Sequence, residues 1–340
     1  MLRAALLVSV LYLLSSAATS QAEEGDREAK VRQAVERGLA VVTRGAKNYP
    51  EHRKCFSCHH QTLPLMAMSL AGACGYKVDS DVIDAQVKFT QAFFAGRKES
   101  LDRGERIGGA AATLSYGLWT YEIAKAKPDE VTDTLVASLI KLQESDGSWR
   151  PPSHRPPLEE SQVTCTVLAG YSLQTFGRGE HREAVDSAIA KATKWLEDAR
   201  LESTEDYASM LVWYSSFAPD EKRAAPIAQK ILELQRDDGG WAQAPGMTSD
   251  AYATGQALFA LVANSKSKNS MSCQRGIDFL LSTQEADGSW HVKTRSRPVQ
   301  KYFDNGDPHG ADQFISMAAT SWATTALTCF SAIEPEAKLP

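Results

Sequence analysis

Apolar residues recur every three or four positions along most of the chain, a spacing typical of amphipathic helices. The segment before Gln143 shows it clearly, with Leu135, Leu139 and Leu142 on one helical face. Segments of this kind predict outer helices at roughly 29–45, 80–95, 129–143, 183–199, 221–235 and 271–284.

Between these helices lie segments rich in Ala, Gly, Ser and Thr, such as 108–113 and 318–321. Small side chains let helices approach closely around a crowded axis, and strand signals are almost absent. These segments predict inner helices at roughly 61–74, 107–125, 160–176, 205–217, 249–264 and 311–331.

A heptapeptide of the form Q-x-x-D-G-x-W occurs three times, at 143–149, 235–241 and 284–290. The intervals of 92 and 49 residues between its starts correspond to nearly two repeats and to one. In each copy Asp-Gly supplies the turn that ends a helix, Trp covers the neighbouring hairpin, and Gln bonds exposed backbone. The motif therefore indicates a structural role.

Six hairpins in register predict one all-α domain, an α/α toroid with an inner and an outer ring of helices. We expect this domain to span 29–332, followed by a C-terminal tail at 333–340. Stepping back through the repeat brings Cys55–His60 to a position where a heptapeptide would otherwise stand.

The three heptapeptides resemble the QW repeats of squalene-hopene cyclases, and 249–258 and 320–327 resemble inner helices of the same superfamily. That superfamily contains the terpene cyclases and protein prenyltransferases, and the resemblance implies the α/α-toroid fold over 29–331. Three further segments, 55–61, 155–161 and 302–316, resemble an exported bacterial subgroup with a C-x-x-C-H-H motif.

The catalytic motifs of these relatives are missing from the sequence. The chain has no D-x-D-D motif, no D-D-x-x-D motif, no convincing Asp/Cys/His zinc set of the prenyltransferase kind, and no thioester motif. Asp237-Asp238 lies inside a heptapeptide, where a turn residue is expected. Cyclisation of squalene is therefore not predicted, and the fold alone does not name a reaction.

The first 22 residues have the pattern of a cleavable signal peptide, with Arg3, an apolar run and a cleavage site after Ala22. A retained amino-terminal anchor is the alternative. A short linker at 23–28 then precedes the toroid, which we expect to be periplasmic or secreted, with no membrane span in the mature chain. The net charge of −5 and the absence of basic runs argue against nucleic acid as a partner.

The segment Cys55–His59 matches C-x-x-C-H, the haem c attachment pattern, with both thiols bonding the haem and His59 ligating iron. The distal iron ligand would come from Met66, Met68 or His309. Two alternatives stay open. One is zinc held by Cys55, Cys58, His59 or His60, and His309; the other is a disulfide or a redox-active thiol pair. The other four cysteines are expected to be mostly buried small residues.

Carboxylates stand at or near the starts of the inner helices, where the helix dipole favours negative charge. They are Glu105, Glu159, Glu160, Glu205, Asp206, Asp250 and Asp312. Capping of the helix amino terminus is the ordinary role for each of them. Asp250 and Asp312 directly precede inner helices and, with His309, are the candidate catalytic residues.

Three functions follow from these features. The first is a haem-bearing redox or electron-transfer protein. The second is a carboxylate-based or zinc-dependent enzyme acting on a hydrophobic or glycan-like substrate. The third is a non-catalytic ligand-binding module. The expected partner is a hydrophobic small molecule or a redox protein, and the sequence leaves open whether the chain is an enzyme.

Overall fold

The computed structural model describes residues 2–151, 153–265, 270–297 and 303–331, with side chains from Gly25 onward. The described residues do not include Tyr302 of the segment 302–316, residue 332 or the predicted tail at 333–340.

Helices make up most of the described chain. The α-helices are α1 (Leu2–His52), α2 (Leu63–Ala73), α3 (Ser80–Ala95), α4 (Lys98–Asp102), α5 (Ala110–Ile123), α6 (Glu130–Leu142), α7 (Gln162–Phe176), α8 (Arg182–Glu197), α9 (Thr204–Val212), α10 (Glu221–Glu233), α11 (Ala251–Ala263), α12 (Met271–Thr283) and α13 (Gln313–Ser331). Single π-helical turns cover Cys58–Thr62 and Trp213–Phe217, and short 3₁₀ turns cover Gly179–His181 and Gly310–Asp312.

The inner helices form a closed ring. Along the chain α2 packs on α5, α5 on α7, α7 on α9, α9 on α11 and α11 on α13, and α13 then returns to α2. Outer helices α1, α3, α6, α8, α10 and α12 pack against these inner partners, and α1 also contacts α12 where the two ends of the outer ring meet. The predicted all-α toroid of helical hairpins is therefore confirmed.

Each heptapeptide joins one outer helix to the next. The Gln235 side chain donates to the carbonyl of Gly239 in its own turn and to the carbonyl of Ser272 in α12. Gln143 bonds α8 in the same way, and Gln284 bonds Ala34 of α1 and so closes the outer ring. The glutamine interaction expected from the sequence is thus a bond between neighbouring repeats.

The glycine of the heptapeptide is required on two grounds. Gly239 has a φ of 86°, which side chains rarely adopt, and a Cβ there would lie 2.6 Å from the carbonyl oxygen of Arg275. Gly147 and Gly288 show the same conformation and the same approach to the next outer helix. The turn therefore packs directly on the neighbouring repeat.

The amino-terminal helix is longer than the sequence predicted. α1 runs from Leu2 to His52 through the predicted signal peptide and the predicted linker at 23–28. A two-stranded antiparallel pair, β1 (Trp241–Ala242) and β2 (Ser249–Asp250), precedes α11 and places Asp250 opposite Trp241. Within the part of the chain that the structure describes, no helix combines the length and apolar character needed to cross a bilayer.

Candidate functional site

The inner ring encloses a narrow, mainly aromatic cavity of about 70 Å³. Tyr171 stacks on Phe217 with ring centroids 4.0 Å apart, and Phe259 meets Trp322 edge to face at 5.4 Å. The other lining residues come from four inner helices and are Tyr116, Trp119, Thr164, Val167, Leu168, Ala208, Ser209, Val212 and Gln256. Ligand cavities commonly measure roughly 300–1,000 Å³, so this one accommodates only a small molecule without movement of its walls.

Three buried polar atoms of the cavity lining have no hydrogen-bond partner. They are the indole nitrogens of Trp119 and Trp322 and the amide oxygen of Gln256. An unpaired buried polar group costs about 1–3 kcal/mol, so such atoms mark places where a partner is expected. The cavity lining therefore contains two donors and one acceptor without a partner.

Glu205 is a buried carboxyl group in the first turn of α9, within hydrogen-bonding distance of the cavity-lining Thr164. The hydroxyl of Tyr252 donates a hydrogen bond of 3.0 Å to its Oε2 atom. Burial raises the pKa of Glu205 to about 8, although the Tyr252 bond opposes the rise, and the nearby Asp206 adds to it. At neutral pH the carboxyl group is therefore largely protonated and can donate a proton.

The neighbouring Asp206 has a different task. Its carboxylate accepts bonds from the backbone nitrogens of Glu202 and Ser203, and the Ser203 hydroxyl accepts from the Asp206 nitrogen. This reciprocal capping box satisfies the amino terminus of α9. Since Ser203 and Asp206 cap the amino terminus of α9, the side chain of Glu205 is not needed for capping.

A small polar recess adjoins Glu205 at the rim of the barrel, which is the end where the inner helices begin. Glu205, Tyr252 and Gln256 are among the residues that line the recess, and Gln256 also lines the aromatic cavity. Arg295 lies at the recess, where its guanidinium bonds Glu160 at 2.6 Å and Gln243 at 2.9 Å. The recess therefore brings Glu205, Gln256 and Arg295 around one space.

The cysteine pair lies on the same rim, and both Cys55 and Cys58 are free thiols. Cys55 is exposed, and its Sγ is 3.4 Å from the hydroxyl of Tyr49. Burial raises the pKa of Cys58 to about 12, while the nearby Arg155 opposes this rise and Glu205 adds a smaller increase. Cys58 is therefore a protonated thiol close to the Glu205 region.

The two adjacent histidines occupy different environments. His60 is fully buried, its Nε2 lies 2.5 Å from Oδ2 of Asp307, and its ring stacks on Tyr49 at 4.6 Å. His59 stacks on Phe314 at 4.8 Å, and burial lowers its pKa well below the usual range, as does the neighbouring His60. His59 is therefore a neutral imidazole enclosed by aromatic rings.

The predicted zinc ligands do not come together. The ligand atoms of Cys55, Cys58, His60 and His309 do not converge within 4.8 Å, although all four belong to the described residues. His309 bonds Ser289 instead, while Asp307 and Asn305 of the same loop reach His60.

The two methionines predicted as distal iron ligands are buried core residues of α2. Met66 packs in the core, and the sulfur of Met68 accepts a bond from Thr43.

The predicted catalytic carboxylates also have structural partners. Asp250 caps α11 by accepting from the Ala253 nitrogen at 2.9 Å, and burial raises its pKa. Asp312 accepts bonds from the Thr294 nitrogen and from Nε2 of His291. Burial raises the pKa of Asp312, but these two bonds, together with the charges of His291 and Lys293, outweigh that effect and hold the pKa below its usual value.

The remaining rim acids, Glu105, Glu159 and Glu160, form ion pairs with Arg103, Arg155 and Arg295. The sequence placed Glu205 among them without distinguishing it. Glu205 differs from the other carboxylates because the adjacent Asp206 already takes part in capping the helix. Tyr252, Asp307 and Asn305 were missed, because their partners lie tens or hundreds of residues away in the chain.

Comparison with protein families agrees with this architecture. Residues 202–338 match the squalene-hopene cyclase C-terminal domain. Among curated proteins, the chain is 26% identical over 213 residues to alpha-onocerin synthase LCD of Lycopodium clavatum. That alignment covers 61% of this chain and 24% of the relative, so the chain spans about a quarter of the length of the curated relative it matches.

Solved structures show the same fold. The type II terpene cyclase MstE from Scytonema has a TM-score of 0.56 at 12% identity, covering 88% of this chain and 98% of its own. A protein from Actinoplanes has a TM-score of 0.57 at 13% identity, covering 88% and 99%. A glycosidase variant also reaches 0.57, at 12% identity, covering 89% and 98%. The family match is limited to residues 202–338, and the solved structures, each below 25% identity, show a shared fold.

Proposed function

We propose that the chain acts on a small, mainly apolar molecule, of isoprenoid type, which binds in the aromatic cavity and receives a proton from Glu205. The observation that carries the proposal is the protonated, Tyr252-bonded carboxyl group of Glu205, in a recess that shares Gln256 with that cavity. A structural neighbour supports the choice of substrate class, since a variant of MstE is bound to its substrate geranylgeranyl dihydroxybenzoate.

The chemistry follows from the site. Glu205 transfers its proton to a carbon of a substrate double bond and becomes a carboxylate, while the substrate becomes a carbocation. The faces of Tyr171, Phe259 and Trp322 stabilise that cation through their ring quadrupoles. Loss of a proton from the cation back to Glu205 completes an isomerisation or ring closure without any other reactant. The Tyr252 hydroxyl stabilises the carboxylate in between.

The missing D-x-D-D motif does not oppose this proposal, because Glu205 supplies an acid from outside that motif. The size of the cavity does restrict the substrate. A cavity of about 70 Å³ favours chains much shorter than squalene.

Binding and turnover of isoprenoids of increasing length test this function. We expect geraniol to quench tryptophan fluorescence, because Trp119 and Trp322 line the cavity, with farnesol weaker and squalene without effect. Glu205→Gln should keep geraniol binding within a few-fold and slow product formation, followed by gas chromatography and mass spectrometry, by at least ~10²-fold. Glu144→Gln, at an exposed position in a heptapeptide, is the matched control and should leave both quantities unchanged. Absence of binding by all three compounds, or full turnover in Glu205→Gln, would contradict the proposal.

As a second function we propose an exported electron-transfer role based on haem c at Cys55, Cys58 and His59. The C-x-x-C-H motif supports it, and so do the two free thiols, one of which is exposed. Attachment requires His59 to leave its contacts with Phe314 and His60, so that its imidazole can face an iron. The amino-terminal pattern predicts export to the compartment in which such attachment occurs.

An absorption spectrum tests this second function. The full chain, exported in a host with haem c maturation, should show a covalent Soret band that Cys55→Ala/Cys58→Ala abolishes. Cys74→Ala, outside the motif, serves as the control and should keep the band. A wild-type protein without haem under these conditions contradicts the haem proposal and leaves the Glu205 proposal untouched.

A further inference from the structure

Three potential metal ligands meet beside the third heptapeptide. Glu285 lies within that motif, His291 follows its Trp290, and His309 comes from the loop before α13. One ligand atom from each of Glu285, His291 and His309 lies within 4.8 Å of the others. Among the described residues, no other group of three or more His, Cys, Asp or Glu side chains meets this condition.

Hydrogen bonds prepare both imidazoles as ligands. Nε2 of His291 lies 2.8 Å from Oδ2 of Asp312, so this nitrogen carries the proton that the carboxylate accepts. Nε2 of His309 lies 2.7 Å from Oγ of Ser289. That hydroxyl donates its own proton to Asp287 at 2.6 Å, so it accepts from His309.

Both rings are therefore in the tautomer that leaves the Nδ1 lone pair available. Carboxylate partners that hold a histidine in this way are the usual second layer of metal sites. Asp312 performs this task directly for His291, and Asp287 performs it through Ser289 for His309.

The arrangement of the rings indicates that the two imidazoles are not both charged. His291 and His309 are parallel within 5°, with centroids 4.5 Å apart, an arrangement that two charged imidazolium rings would disfavour. His309 is also held at a φ of 77°, a backbone conformation uncommon for residues other than glycine.

The set is peculiar to the third copy of the heptapeptide. The position of Glu285 is Glu144 in the first copy and Arg236 in the second, and the position of His291 is Arg150 and Ala242. The other two turns form the same structural bonds without these residues. The Glu285–His291 combination is thus not needed for the turn itself.

We propose that Glu285, His291 and His309 form a binding site for a divalent transition metal such as Zn²⁺. Two imidazole nitrogens and a carboxylate oxygen suit zinc, copper and nickel, and three protein ligands leave a coordination position open for water or an anion. The site is distinct from the Cys55–His59 motif and from the Glu205 cavity, and it connects the turn of the last repeat with the loop leading into α13.

Calorimetric titration of the chelator-treated full chain with ZnCl₂ tests the proposal. We expect one Zn²⁺ per chain, and at least ~10-fold weaker binding in His291→Ala, in His309→Ala and in Glu285→Gln. Asp312→Asn should weaken binding by about 10-fold, because it disturbs the orientation of His291. Because the Glu285 side chain is exposed, Glu285→Gln should keep the fold, as verified by thermal unfolding.

Two controls separate this site from its alternatives. His154→Ala removes an exposed histidine elsewhere on the chain and should not change zinc affinity. Cys55→Ser/Cys58→Ser should also keep it, and Co²⁺ bound to the wild type should show no thiolate charge-transfer band. Zinc binding that is absent in the wild type, that survives in His291→Ala and His309→Ala, or that is lost in the double cysteine variant overturns the proposal.

Discussion

Replacing Trp241 with alanine is expected to lower the free energy of unfolding by about 3–5 kcal/mol. The side chain is completely buried, and its ring packs so closely on α12 that a Cβ on Gly276 would lie 2.7 Å from it. Its indole nitrogen also donates to the carbonyl of Ile231 at 2.7 Å, at the end of α10. Alanine would leave a cavity and remove one of the two hydrogen bonds to the Ile231 carbonyl, which also accepts from the Leu234 nitrogen. Urea unfolding followed by circular dichroism measures the loss.

Two further variants identify the origin of that loss. Trp241→Phe keeps most of the ring and loses the hydrogen bond, so it should cost about 1–2 kcal/mol. Trp195→Ala is the matched control, because Trp195 is only partly buried on α8, an outer helix whose repeat has no heptapeptide. If Trp241→Ala destabilised the protein no more than Trp195→Ala, the heptapeptide would not have the structural role assigned to it.

The stability of the protein is expected to fall as pH rises from about 4.5 to about 8, because of Glu205. Burial raises the pKa of this carboxyl group from the ordinary 4.5 to about 8 in the folded chain. The folded state therefore holds the proton more tightly than the unfolded state. Its stabilising effect is complete below the unfolded pKa and is lost as pH rises towards the folded pKa. The slope is at most about 1.4 kcal/mol per pH unit, and the summed loss is on the order of 4–5 kcal/mol.

Glu205→Gln isolates this contribution, since glutamine does not ionise. Near pH 5 the variant and the wild type should be similarly stable, and near pH 8.5 the variant should be the more stable of the two by several kcal/mol, on the order of the same 4–5. For Glu144→Gln, at an exposed position, the difference from the wild type in free energy of unfolding should not change with pH. Chemical unfolding at intervals between pH 4.5 and 9 measures this difference for both variants. A difference that stays constant with pH for Glu205→Gln would mean that this carboxyl group is ionised at neutral pH.

The helical hairpins could be predicted because the information for them is local. The boundaries of α3 were predicted to the residue, and those of α6, α10 and α13 to within two residues. Apolar spacing, Asp-Gly turns and runs of small residues act over a few neighbouring positions, and each repeats along the chain. The continuation of α1 through 23–28 was not predicted, because Gly25 lowers helix propensity there and the helix-forming residues on both sides outweigh that single residue.

The candidate sites could be predicted only in part. The sequence identified Cys55–His59, His309 and the row of rim carboxylates, since those residue types and spacings are visible in one dimension. It did not distinguish Glu205 from Asp250 or Asp312. That distinction depends on burial and on the Tyr252 hydroxyl, 47 residues away in the chain. The grouping of His309 with His291 and Glu285 likewise depends on how a long loop returns to the third heptapeptide.

The sequence by itself determined the class of fold and the turns that end three of the outer helices. These features arise from short-range periodicity and from a turn motif whose chemistry is the same wherever it occurs. Only the tertiary structure decided which carboxyl group is protonated and which histidines share a site. Burial and the approach of distant side chains set those properties, and closure of the inner ring brings the side chains together.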